Sequence, residues 1–178
     1  STVGLFHIQH EKDVQAISIK EKEMALLEQD TVRVFRTRPE AKLPVRAHRT
    51  DAGMDFFFCP IEGAAVRIQP GQSVLLETGI KMQVPEDCML QIMNKSGIAS
   101  KRHLITGACV VDQGYTGEIF VNLHNIGKDV EFIEPGQKVA QGVFVRIEKP
   151  TLWEVQEDNI YGTETARGSG ALGSTGDT

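Results

Sequence analysis

Ser73-Val74-Leu75-Leu76, Ile80-Lys81-Met82-Gln83-Val84 and Met89-Leu90-Gln91-Ile92-Met93 follow one another at short intervals, fenced by Pro70-Gly71, Gly79, Pro85 and Gly97. Each is a short apolar or alternating run closed by a residue that breaks regular structure, which is the signature of strands joined by turns. The pattern spreads outward in both directions. Upstream stand Pro39, Pro44, Gly53, Pro60 and Gly63; downstream, Gly107, Gly114, Gly117, Gly127 and Pro135-Gly136 separate the runs Ile119-Phe120-Val121-Asn122-Leu123 and Val143-Phe144-Val145-Arg146-Ile147. None of the gaps has room for regular crossover helices, so the region from Val32 onward predicts an all-β sandwich or barrel, with a jelly roll as the natural architecture.

The two ends read differently. In residues 1–30, Ser18 followed by Glu21 has the form of a capping box opening the charged run Ile19 to Gln29, which predicts a short surface helix on an N-terminal extension. No site-like cluster falls there, so the extension reads as a solvated or docking arm, and it is where a partner protein would attach. Residues 163–178 are rich in Gly, Ser and Thr and nearly free of large apolar groups, a composition that is disordered when alone. Arg167 embedded among glycines can nonetheless order on a polyphosphate, because successive backbone N–H groups form an anion nest beside a fixed charge. The domain division expected is therefore an extension over 1–30, a β domain over 31–162 and a flexible C-terminal lid over 163–178.

With 178 residues the chain has the length of one domain, which buries roughly 70% of the surface its unfolded form exposes. A formal net charge of -5 excludes a global basic field that would draw the chain to nucleic acid or anionic lipid, so an anionic substrate needs a local basic site. No apolar run approaches the roughly 20 residues that span a bilayer, and Ser1 to His10 lacks the regions of a signal peptide. The expectation is a soluble intracellular protein, cytoplasmic or, in a eukaryote, nuclear. Cys59, Cys88 and Cys109 are an odd set among apolar neighbours, which predicts buried reduced thiols; the five histidines fall at no ligand spacing with them, so no tightly held transition metal is expected.

Chemistry concentrates in a few segments. In Gly107-Ala108-Cys109-Val110-Val111-Asp112-Gln113-Gly114-Tyr115-Thr116-Gly117-Glu118-Ile119, two apolar strands flank Asp112-Gln113-Gly114-Tyr115, a hairpin with a carboxylate and an aromatic ring at its tip. Taken singly, the aspartate is ordinary turn chemistry and the tyrosine ordinary packing. Asn94-Lys95-Ser96-Gly97-Ile98-Ala99 sets a cation, a hydroxyl and a glycine in series after an apolar strand, as phosphate binding requires. Ala52-Gly53-Met54-Asp55-Phe56 and Gly136-Gln137-Lys138-Val139-Ala140-Gln141 say little alone.

In order, these four segments and the tail Arg167-Gly168-Ser169-Gly170-Ala171-Leu172-Gly173-Ser174-Thr175-Gly176 resemble the five ordered motifs of the trimeric dUTPase family, and Ala41-Lys42-Leu43-Pro44 resembles the family's entry to its first motif. The resemblance runs from about Val32 to Gly176. It implies a homotrimer with active sites shared between subunits, Mg2+ as cofactor, and hydrolysis of dUTP to dUMP and pyrophosphate, which limits uracil incorporation into DNA and supplies dUMP for thymidylate synthesis.

Residue by residue, the resemblance makes Asp112 the catalytic carboxylate that orients and activates the attacking water. Tyr115 is the ring beneath the deoxyribose that leaves no space for a 2′-hydroxyl, and main-chain groups from Gly107 to Val111, Val110 included, read uracil. A fixed backbone pattern matched to uracil's O4 acceptor and N3–H donor leaves groups unpaired against cytosine, which reverses both. Lys95, Ser96 and Gly97 contact the phosphates; the family commonly has arginine at the first of these, and lysine keeps the charge but loses the bidentate fork. Asp55 and Gln141 bind waters around the magnesium and the phosphates, as outer-sphere contacts to a metal held mainly by the substrate. Arg167 reaches the γ-phosphate and Gly173 and Ser174 add donors as the tail closes, while Leu172 replaces a phenylalanine that stacks on uracil. Base–aromatic stacking is worth about 1–3 kcal/mol, so this lid is expected to hold more weakly.

Two rivals remain distinguishable. The dCTP deaminase family shares the fold and part of the third motif, but it needs a glutamate where this chain has Asn122 and an Arg-Ser-Ser pattern where this chain has Lys95-Ser96-Gly97. The other is a nucleotide-gated binding module that holds dUTP and acts by docking a partner protein.

Overall fold

A computed structural model of the chain describes Glu21 and residues 31–163. The chain forms two compact units, Ser1–Ile147 and Glu148–Thr178. In the second, the described residues carry a single 3-10 turn, Glu157–Asn159, among irregular backbone. The strands and the core belong to the first.

There the strands are β1 (Val34–Arg36), β2 (Met54–Phe57), β3 (Val66–Ile68), β4 (Ser73–Glu77), β5 (Ile80–Met82), β6 (Cys88–Met93), β7 (Leu104–Thr106), β8 (Val110–Val111), β9 (Phe120–Asn125), β10 (Glu131–Ile133) and β11 (Lys138–Arg146). They form a four-stranded sheet ordered β2-β11-β6-β8, a three-stranded sheet β4-β9-β7, and the pairs β1-β5 and β10-β3. Every pairing is antiparallel. The all-β expectation holds, with the expected runs falling on β4, β5, β6, β9 and the second half of β11.

Alternation sorts the side chains. Along β9, Val121, Leu123 and Asn125 are buried while Phe120, Asn122 and His124 are half-buried on the other face, as a strand period of two requires. The inward residues meet Phe56, Phe58, Ile68, Leu76, Ile80, Leu90, Ile92, Leu104 and Ile133 in one core. Asn125 is tolerated there because its amide is satisfied: Nδ2 donates to the carbonyls of Ile68 (3.0 Å) and Asp129 (2.8 Å), and Oδ1 accepts from Gly127 N (2.9 Å).

The structure departs from the sequence reading here in two places. A short helix, α1 (Ser96–Arg102), stands between β6 and β7, in a region read as strands and turns with no room for regular crossover helices. It ends at His103, in the left-handed conformation with φ 53°, and Arg102 ties it to Glu131 (2.6 Å) and to the carbonyl of Phe132 (2.6 Å). The cysteines are free, but only Cys59 is buried, with Cys88 and Cys109 half-exposed. Of the helix expected over Ile19 to Gln29, Glu21 is helical and the remainder lies outside the described residues. No helix among the described residues is long and apolar enough to cross a membrane.

Candidate active site

The segment Asp112–Tyr115 is a turn closed by Tyr115 N donating to the carbonyl of Asp112 (3.1 Å). Both side chains are exposed. The strands around it differ from the simple hairpin expected. Val110 and Val111 on β8 pair with Gln91 and Leu90 of β6, whereas the chain leaving the turn enters β9, which pairs with β4 and β7. The excursion therefore bridges two sheets, pinned on entry by Ile92 N donating to Cys109 O (2.7 Å) and on exit by Ile119 N donating to Ile80 O (2.8 Å). Between these pins lies a recess of ≈ 210 Å³ lined by Ala108 to Asp112, Tyr115, Ile92, Leu75, Phe120 and Asn122, among others.

Asn122 organises the wall of that recess. Its Oδ1 accepts from Ala108 N (3.2 Å) and lies 2.9 Å from His124 Nε2, and its Nδ2 donates to Val74 O (3.0 Å). Gly107 N donates to Asn122 O (3.0 Å), so the main chain of Gly107 and Ala108 is held at two points by one residue. Asn122 is thus an amide whose donor and acceptor are both engaged in shaping the backbone, where the deaminase reading expects a glutamate.

A second cluster grows from the four-stranded sheet. Register sets Asp55 of β2 beside Gln141 of β11, and Gln141 beside Met93 of β6. A bulge between Lys138 and Ala140 shifts the register of β11, so that Lys138 and Gln141, three residues apart, are both half-exposed while Val139 and Ala140 are both buried. Strict alternation would have put Lys138 and Gln141 on opposite faces. Asp55, only 5% exposed, receives two cations: Lys95 Nζ on Oδ1 (2.9 Å) and Lys138 Nζ on Oδ2 (2.7 Å). Burial pushes its carboxyl up, but the hydrogen bonds and charges of Lys138 and Lys95 outweigh that and hold it below its ordinary value. Gln141 Nε2 donates to Asn94 O (2.9 Å), and Asn94 Oδ1 accepts from Thr106 N (2.7 Å). The amide of Gln141 passes so close to Gly53 that a Cβ there would overlap its Oε1. Ser96 and Gly97 lie exposed in the first turn of α1, just beyond Lys95.

Asp51, Gly53, Asp55, Met93, Lys95 and Gln141 contribute to the lining of a recess of ≈ 380 Å³. It shares no lining residue with the recess at Asp112. Ile92 lines one and Met93 the other, and consecutive residues of a strand point to opposite faces. The chain thus gathers Val110, Val111, Asp112 and Tyr115 in one place and Asp55, Lys95 and Gln141 in another.

The donor set bears on a divalent cation. Both oxygens of Asp55 are already occupied by ammonium groups, which suits a carboxylate that meets a hydrated metal through water and does not suit one that ligates it directly. Arg167, Leu172, Gly173 and Ser174 lie outside the described residues. Lys138 was missed as a partner of Asp55 although it stands in a quoted motif; its role depends on the bulge, which leaves no mark on composition. Arg38 and Glu118, which brace the turn at Tyr115, were also missed, being 80 residues apart.

Comparison with known proteins follows these motifs. A family model described as dUTPase matches residues 39–176. The chain is 39% identical over 145 residues to a deoxyuridine 5'-triphosphate nucleotidohydrolase of Clostridium novyi, covering 80% of this chain and 96% of that protein. A second of that description, from Alkaliphilus metalliredigens, is 40% identical over 147 residues, or 82% and 96% of the two chains. Among solved structures, the dUTPase of Staphylococcus bacteriophage 80alpha with dUPNHPP superposes with a TM-score of 0.74 at 27% identity, covering 83% of this chain and 99% of that one; it is described as controlling transfer of virulence genes by a G protein-like mechanism. A mutant dUTPase from phage phi11 of S. aureus, described with a structural Mg(II) ion, gives 0.65 at 27% identity over 72% and 98%.

Proposed function

The chain belongs to the dUTPase family, and from that premise we propose that it hydrolyses dUTP to dUMP and pyrophosphate by water attack on the α-phosphorus. The observation that carries the reading is the Asp112–Tyr115 turn, whose two end residues line one recess together with Ala108 to Val111. Backbone N–H and C=O groups fixed by sheet pairing on one side and by Asn122 on the other can read the edge of a flat base, and a pattern fitted to uracil penalises cytosine by leaving buried groups unpaired. Tyr115 lies under the deoxyribose. Asp112, exposed at the turn, orients the attacking water; an ordinary carboxylate is a weak base, so positioning supplies much of its effect.

Lys95, Ser96 and Gly97 receive the phosphates, with Ser96 donating near the oxygen that bridges α and β, where charge grows as the bond breaks. Lys95 can do so while paired to Asp55 because an ammonium carries three donors. Asp55 and Gln141 hold waters around the cation. A magnesium ion held mainly by the triphosphate, with Asp55 and Gln141 reaching it through water, would supply positive charge where the pyrophosphate departs. Because the two recesses lie apart in one chain, a triphosphate leaving the base recess meets Lys95 and Asp55 of another copy. This favours sites shared between subunits, in the homotrimer that the family resemblance implies. Residues 31–162 form the β domain in this reading, and the tail over 163–178 closes the site through Arg167, Leu172, Gly173 and Ser174. The protein works in solution inside the cell.

Pyrophosphate release from dUTP, beside dCTP, dTTP and UTP, with magnesium and with chelator, tests the proposal on the wild type and Asp112→Ala. Magnesium-dependent turnover selective for dUTP and lost in the mutant is the expected result, and ammonia release from dCTP would overturn it. A second reading takes its support from the likeness to the phage 80alpha dUTPase. In it the same fold holds dUTP and docks a partner protein, with residues 1–30 as the docking arm, and dUTP binding without turnover is its mark.

A further inference from the structure

We infer that Arg38 and Glu118 are positioning residues for sugar selection, acting through Tyr115. The inference rests on the reading of Tyr115 as the ring beneath the deoxyribose and adds what holds that ring in place. Tyr115 is 44% exposed, so packing alone does not fix it. Its hydroxyl instead donates to the main-chain carbonyl of Glu118 (2.8 Å), and the ring crosses Gly117 so closely that a Cβ there would overlap the phenol oxygen. With the turn bond from Tyr115 N to Asp112 O at the other end, the ring is tied both at its root and at its tip.

The tip is only as fixed as Glu118. Its carboxylate accepts a fork from Arg38, Nη2 to Oε1 at 2.7 Å and Nη1 to Oε2 at 3.1 Å, and is completed by Gly79 N on Oε1 (2.7 Å) and Thr37 Oγ1 on Oε2 (3.4 Å). Arg38 is itself oriented by Nε donating to Cys59 O (3.0 Å) and by Nη1 donating to Thr37 Oγ1 (2.8 Å). Both side chains are 14% exposed. A largely buried ion pair of this kind adds little net stability compared with apolar packing, but its fork admits one geometry. Glu118 points its carboxylate into that clamp and offers its carbonyl to the tyrosine, so the clamp sets where the ring can lie. A steric gate against a 2′-hydroxyl works only if the ring cannot retreat, and a displacement near 1 Å changes rates by about a hundredfold.

The test is the ratio of kcat/KM for dUTP to kcat/KM for UTP in wild type, Glu118→Gln, Tyr115→Phe and Tyr115→Ala, with inhibition by tripolyphosphate as a reading of the phosphate contacts. Glu118→Gln keeps the shape and removes the charge the fork grips. Its ratio is expected to fall about tenfold or more, through a rise in KM for dUTP and a gain on UTP, with tripolyphosphate inhibition unchanged. Tyr115→Phe keeps the ring and deletes only the bond to the Glu118 carbonyl, so it should move the ratio in the same direction even if Glu118→Gln does not fold. Wild-type ratios in both, with the ratio lost in Tyr115→Ala, would overturn the positioning role and leave the sugar-gate reading standing. An unchanged ratio in Tyr115→Ala would sink that reading and the inference with it. Equal losses on dUTP and UTP would mark Arg38 and Glu118 as structural only, which also overturns it.

Discussion

Replacing Asp55 by asparagine should expose how far the second cluster depends on one carboxylate. Asp55 is 5% exposed and takes Lys95 at 2.9 Å and Lys138 at 2.7 Å on separate oxygens. Asparagine keeps the shape and one acceptor but leaves two ammonium groups facing each other without a counter-charge. Removing one partner of a fully buried pair costs about 3–5 kcal/mol. The lysine side chains here are 32% and 41% exposed and can turn toward water, so the expected loss is about 1–3 kcal/mol. Urea denaturation at fixed protomer concentration reads it as a fall in midpoint with the slope unchanged. The pH dependence is the sharper test. Because the folded carboxyl lies below its ordinary 3.8, its contribution is fully present above that value and is lost as pH falls through the folded one. The stability gap between wild type and Asp55→Asn should therefore be widest near neutrality and close in acid. A mutant as stable as wild type at pH 7, or a gap that persists undiminished well below pH 3.8, would refute the argument.

Other expectations are more direct. Asp112→Ala should lower turnover by about 10²–10⁴-fold, while unfolding shifts by less than about 0.5 kcal/mol because the side chain is exposed; stopped turnover assays and a denaturant melt separate the two. Gly53→Ala drives a Cβ into Gln141 Oε1 and should break the bond from Gln141 to Asn94 O, seen as a several-fold higher KM for dUTP with a small change in melting temperature. Removal of residues from Arg167 onward should cut turnover sharply and leave sedimentation of the assembly unchanged, and full activity in that truncation would contradict the role given to the tail.

What the sequence discloses and what it hides divide along a physical line. Strands β4, β5, β6 and β9 are legible because a half-buried strand must alternate or run apolar between turn residues, and that constraint is local. The turn at Asp112–Tyr115 is legible for the same reason. Helix α1 was missed because Ser96–Arg102 is only two turns long and has no side-chain cap at Lys95. The hairpin was misdrawn because Val110-Val111 looks like any strand arm, and only the pairing with β6 reveals that it belongs to a different sheet from β9.

The contacts that set the two candidate clusters are the least legible, since each is decided by register between segments far apart in sequence. Lys138 and Gln141 share a face only through a bulge, and Arg38 meets Glu118 across 80 residues. The proposed sharing of sites between copies draws on one such register. Ile92 and Met93 are adjacent, yet each lines a different recess, and the strand period forbids one pocket from using both side chains. In the proposed function, a substrate that needs the base reader and the cationic phosphate cluster together is divided by the pleat of β6, and a second copy that presents its Lys95 beside the first copy's Asp112 is the arrangement that would remove the division without altering either sheet.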